Sequence, residues 1–149
     1  MPYHVDQSGK IEHGRGPTVL ALANDSAYTL CISAREKRLA TRTLQVHYDR
    51  KAVTVWLFAA ALYYVLIELP RGATATVDIE YPGHGRYIKA VLLTWLQQER
   101  PDITANHIVF GLVGKKSRAH KHALAVRQGE AKADRILKAD DLLRKIIGP

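Results

Sequence analysis

A mixed α/β domain is what this sequence predicts, on three observations. Short β-branched and apolar runs open the chain, a 16-residue uncharged stretch follows at 52–67, and strand-like and helix-like segments then alternate. With 149 residues, 47% of them hydrophobic, the chain has the length of one domain, 1–149, and enough apolar material for a core. Ten Gly and six Pro are too few for a fibrous or wholly disordered polymer.

The elements follow in order. Residues 3–7 alternate weakly and stop at Ser8-Gly9, a turn signal. Residues 17–23 and 28–34 are β-like runs separated by Asn24-Asp25-Ser26, and this spacing reads as a hairpin. The stretch 35–43 is charged and fits either class, and 45–48 fits a strand or a helix entry. A long apolar helix is expected over roughly 50–68. After Pro70-Arg71-Gly72 the alternation returns at 73–81, where Thr, Val and Ile favour a strand ended by Pro82-Gly83. Ile88, Val91, Leu92 and Trp95 then fall at helical spacing within 87–98, and Pro101 closes that helix. Residues 107–113 read as a strand, and the remainder as helix in one or two pieces. The order is β-β-β-α-β-α-β-α: a mixed five-stranded sheet with right-handed crossovers and helices on both faces.

Charge narrows the partners. The net charge is +8, and ten Lys/Arg against four acids between Lys115 and Lys145 account for most of it. Such a basic segment favours a polyanion, nucleic acid above all, over a neutral ligand. Lys115, Lys116, Arg118, Lys121 and Arg127 are the expected phosphate contacts. Ser117 is placed to cap the helix they ride on, and a helix N-terminus itself attracts anions. A solvated helix face is the plain alternative.

Several classes drop out. The start MPYHVDQSGK has no secretory pattern, and the single Cys31 excludes an intrachain disulfide framework, so a cytoplasmic setting is expected. The apolar run at 52–67 is shorter than the about 20 residues of a membrane span, so a buried helix and no membrane partner are expected. Its apolar girdle makes a homodimer one way of covering it. No GxxxxGK[ST] or GxSxG pattern occurs, and His4, His13, His47 and His107 lack metal-ligand spacing. Cys31 sits in an apolar strand and reads as core. His84, in PGHG, reads as a loop residue.

Carboxylates supply the remaining chemistry. Asp6 ends the first strand before a Gly turn, and Asp78 and Glu80, two apart on the fourth, share a face if the strand continues. For Asp78 and Glu80, a solvent-facing strand side or pairing with a nearby Arg is the plain alternative. Seven-residue spacing puts His120, Arg127 and Asp134 on one stripe of an unbroken helix. Gln128-Gly129 is the place where that helix would break. Glu130 is a second acid there, and either acid also fits an intrahelical partner of nearby Lys or Arg.

This element order and carboxylate placement resemble the ribonuclease H-like superfamily, which includes retroviral-type integrases and Holliday-junction resolvases. The resemblance implies that acids on the first strand, the fourth strand and the last helix meet to hold divalent ions. On this chain that set is Asp6, Asp78 and/or Glu80, and Asp134. Resolvase-like members favour Glu80, and ribonuclease H-like members Asp78. Glu68, at the far end of the apolar helix, is the only match to a further family acid. The resemblance also gives His120 a role in leaving-group protonation or product release, with a plain surface histidine as the alternative. The implied activity is metal-dependent hydrolysis of structured or double-stranded nucleic acid, with Mg²⁺ or Mn²⁺ as cofactor. The competing reading is a non-catalytic nucleic-acid-binding module on the same scaffold, and a third is an accessory protein whose basic helix meets an acidic partner protein.

Overall fold

The structure is a computed structural model that describes residues 2–148. Six strands form one mixed sheet, in the order β5-β4-β1-β2-β3-β6. The opening meander β1 (Tyr3–Ser8), β2 (Thr18–Ala23) and β3 (Ala27–Ile32) is antiparallel throughout. On the other side of β1, β4 (Ala75–Asp78) pairs in parallel, and β5 (Ile108–Gly111) pairs in parallel with β4. The mixed α/β class and the helices on both faces are therefore present, but the sheet has six strands where the sequence indicates five.

The extra strand is β6 (Arg135–Leu137), paired in parallel with β3. It lies in the tail that the sequence assigns to helix. That tail is α4 (Arg118–Arg127), a turn, β6, and α5 (Ala139–Ile147). Gly129, at φ +82°, closes α4, in a conformation that glycine adopts without strain. The stripe of His120, Arg127 and Asp134 consequently does not exist, because Asp134 lies beyond the helix, just before β6.

The ambiguous 35–43 stretch is helix α1 (Ala34–Gln45), capped by the Ser33 hydroxyl. Its polarity conceals a buried stripe of Lys37, Ala40 and Leu44. The long apolar helix is α2 (Arg50–Leu66), started by the Asp49 carboxylate, which accepts from Ala52 N at 2.8 Å. Then α3 (Gly85–Glu99) packs on α2.

Strand alternation sorts the core into two layers. Leu20, Leu22, Leu30 and Ile32 meet α1, α2 and α5 in a large cluster. Val19, Ala21 and Ala23 meet Ala119 and Ala123 of α4 in a small one, beside Cys31. Because the chain itself encloses α2 from Val53 to Leu66, its apolar girdle needs no second copy to cover it. Among the described residues no helix is long and apolar enough to cross a membrane.

Candidate metal centre

Parallel pairing of β1 with β4 aligns His4 with Thr76 and Val5 with Val77. One step beyond Val5 and Val77, where the pairing of these two strands stops, come Asp6 and Asp78. Asp78 ends β4, whereas β1 runs two residues past Asp6 to Ser8, so Asp6 is not at the strand end that the sequence indicates. Glu80 lies two residues past β4 and returns to the pair. One carboxylate oxygen from each of Asp6, Asp78 and Glu80 lies within 4.8 Å of the others. The sequence leaves Asp78 and Glu80 as alternatives, and the structure brings both to Asp6.

Each aspartate is held from outside. Asp6 is buried; its Oδ1 accepts from Gln7 N at 2.9 Å, and its Oδ2 lies 2.8 Å from His120 Nδ1. Asp78 Oδ1 accepts from Val113 N at 2.8 Å, which ties β4 to the loop before α4. His120 itself sits in the first turn of α4, whose cap is the Ser117 hydroxyl. Its imidazole is thus fixed on Asp6 rather than standing free over the site.

Electrostatics record the crowding. Burial pushes the Glu80 carboxyl up to about 7, helped by the negative charge of Asp78 and a hydrogen bond to it. Burial also raises Asp6, against the opposing pull of its bond to His120. Three hard oxygen donors that repel one another suit a hard divalent cation of the Mg²⁺ or Mn²⁺ kind. Each carboxylate oxygen retains a lone pair beyond the bonds described.

The other residues indicated by the sequence lie elsewhere. Asp134 does not join the cluster: its Oδ2 accepts from Thr29 N at 2.8 Å and from the Thr29 hydroxyl, fastening the approach to β6. Glu130 is exposed in the turn after α4, and Glu68 is exposed past the end of α2. Lys115, Lys116, Arg118, Lys121 and Arg127 are all exposed on or just before α4, the helix that brings His120 to Asp6. Arg118 Nη1 donates to Asn24 O at 3.1 Å. The basic tail is not one surface, however. Arg135 lies over the Tyr64 ring at 4.6 Å and Lys145 over Tyr63 at 3.8 Å, both in the α2–β6–α5 region.

Sequence reasoning missed the surroundings of Glu80. A cleft of about 620 Å³ opens there between the β1–β2 loop, the start of α2 and the β4–α3 loop. Glu12, His13, Arg50, Lys51, Glu80 and His84 are among its walls. No local pattern announces it, because three distant segments build it.

The chain matches no protein-family model, no curated protein and no solved structure.

Proposed function

We propose that this protein is a divalent-metal-dependent phosphodiester hydrolase of the ribonuclease H-like kind, resolvase-like or nuclease-like, acting on structured or double-stranded nucleic acid in the cytoplasm. The observation that carries the reading is the convergence of Asp6 on β1 with Asp78 and Glu80 at and just past the end of the parallel neighbour β4. The three-strand opening and the later alternation of helix and strand support the fold half of the reading.

In this reading Asp6, Asp78 and Glu80 would hold Mg²⁺ or Mn²⁺, which would activate water and relieve charge on the leaving oxygen. Asp6 is kept in place from two sides, by Gln7 N and by His120, so its carboxylate enters the site with its orientation already set. His120 is therefore a positioning residue. Asp78 is steadied by Val113 N. The cations of α4 hold phosphates beside the acids and leave base identity unread. Water would attack phosphorus and give up a proton, the bond from phosphorus to one sugar oxygen would break, and that oxygen would leave as a hydroxyl after taking up a proton from solvent.

The test is a pair of measurements. Mn²⁺ or Mg²⁺ is expected to raise Tm, and Asp6→Asn and Asp78→Asn are each expected to abolish that rise together with cleavage of duplex or branched oligonucleotides. A Tm indifferent to both ions would overturn the metal site. One observation favours the second reading, a non-catalytic binder: Asp134 is committed to Thr29 and does not reach the cluster. Salt-sensitive duplex binding without metal response or cleavage would select it.

A further inference from the structure

The cleft beside Glu80 continues beyond its own walls. A second hollow of about 300 Å³ shares Lys51, Val55 and His84 with it and adds Trp56 and Tyr87. The two form one track that begins at the carboxylate site and runs across the start of α2 to α3.

Its chemistry is two-sided. Arg50 and Lys51 are exposed and take part in no ion pair among the described residues. Of the acids on the rim, Glu12 accepts from the Tyr81 hydroxyl at 2.8 Å, Asp49 accepts from Ala52 N, and Glu80 belongs to the carboxylate cluster. The far end is aromatic. Tyr87 is 50% exposed, Tyr48 is 41% exposed, and both pack on Trp56 with ring centroids 5.8 and 6.5 Å away.

Unpaired cations in a groove that leads to accessible rings form the combination that binds single-stranded nucleic acid, phosphates on the cations and bases on the rings. The α4 wall differs, because residues 115–127 contain five Lys/Arg and no Phe, Tyr or Trp. Such a surface contacts backbone only, as a duplex requires. We propose that the track from Glu80 past Arg50 and Lys51 to Trp56 and Tyr87 holds an unpaired strand of DNA or RNA that is continuous with the duplex lying on α4. The proposal deepens the hydrolase reading and rests on it for the direction of the strand. Strand binding itself needs no metal.

Binding is therefore measured in EDTA with the full chain. Labelled oligo(dT) and oligo(U) of about eight nucleotides are compared with a blunt duplex of equal length. Single strands are expected to bind and to quench Trp fluorescence, with the quench largely lost in Trp56→Phe. The double variant Arg50→Glu/Lys51→Glu is expected to weaken single-strand binding by about tenfold or more, and Tyr87→Ala by roughly tenfold, with duplex binding changed less than about twofold. Lys115→Glu/Lys116→Glu is expected to show the reverse preference. The difference between dT and U affinities decides between DNA and RNA. Single-strand affinity unchanged in both track variants, with their Tm values as wild type, would overturn the proposal. Absence of a metal response in the same preparation would overturn the hydrolase reading and leave the strand track standing.

Discussion

The two faces of the sheet do different work with different side chains. Toward α1, α2 and α5 the strands present Leu20, Leu22, Leu30 and Ile32, and the helices answer with Leu57, Phe58, Leu62 and Leu66, each 2% exposed or less. Toward α4 they present Val19, Ala21 and Ala23, and α4 answers with Ala119 and Ala123. Large residues remove much surface from water and stabilise the domain. Small ones let two backbones approach, and that approach brings His120 Nδ1 to 2.8 Å from Asp6. Bulk on one face and close approach on the other separate the main apolar core from the carboxylate cluster.

The largest effect expected from breaking this division is on the bulky face. Leu62→Ala, at a fully buried position of α2, is expected to cost about 2–5 kcal/mol in denaturant unfolding while leaving the metal-induced Tm rise intact. A lost metal response in the folded variant would show that the faces are not independent. On the close-packed face the order of effects reverses. Ala123→Leu is expected to cost only about 1–3 kcal/mol, yet to separate α4 from the sheet and abolish the metal response. Retention of the His120–Asp6 contact by NMR in that variant would remove the claim that small residues set the distance.

The smallest effect tests the margin between the layers. Lys37 is buried, and its Nζ donates to His13 O at 2.6 Å, Lys10 O at 3.4 Å and Thr18 Oγ1 at 3.0 Å, pinning the β1–β2 loop that carries Glu12 and His13. Burial depresses its pKa from 10.5 to about 8, with Arg127 adding to the depression and Glu12 opposing it. Between those values the unfolded chain holds the proton more tightly, so this group makes stability rise with pH across that window. The difference in urea-unfolding stability between wild type and Lys37→Met is expected to rise from pH 8 to 10, a comparison in which the raised tyrosines and Cys31, common to both proteins, largely cancel. Parallel profiles for the two proteins would refute that assignment.

What the sequence reveals follows the range of the interaction involved. The apolar helix, the hairpin and the Ser117 cap depend on neighbours in the chain, and each is where the residues indicate. Asp6 and Asp78 are also readable, since a carboxylate in an apolar strand is conspicuous, although β1 runs on past Asp6 to Ser8 and only Asp78 ends its strand. Helix α1 is not, because the buried residue that anchors it is a lysine, which pattern reading sends to solvent. Strand β6 is three residues long, with Ile136 60% exposed, and its pairing with β3 supplies what its composition does not. Asp134 misleads for the same reason: its partner is Thr29, 105 positions away.

His120 and Asp6 are 114 positions apart, and this span has a kinetic consequence. The meander of β1, β2 and β3 joins sequence neighbours and can close early, whereas β4 and then α4 must arrive across long loops, whose closure entropy is paid before any contact rewards it. A partly folded chain that holds only the meander would therefore display Asp6 without Asp78 and Glu80, and so without the three-carboxylate cluster.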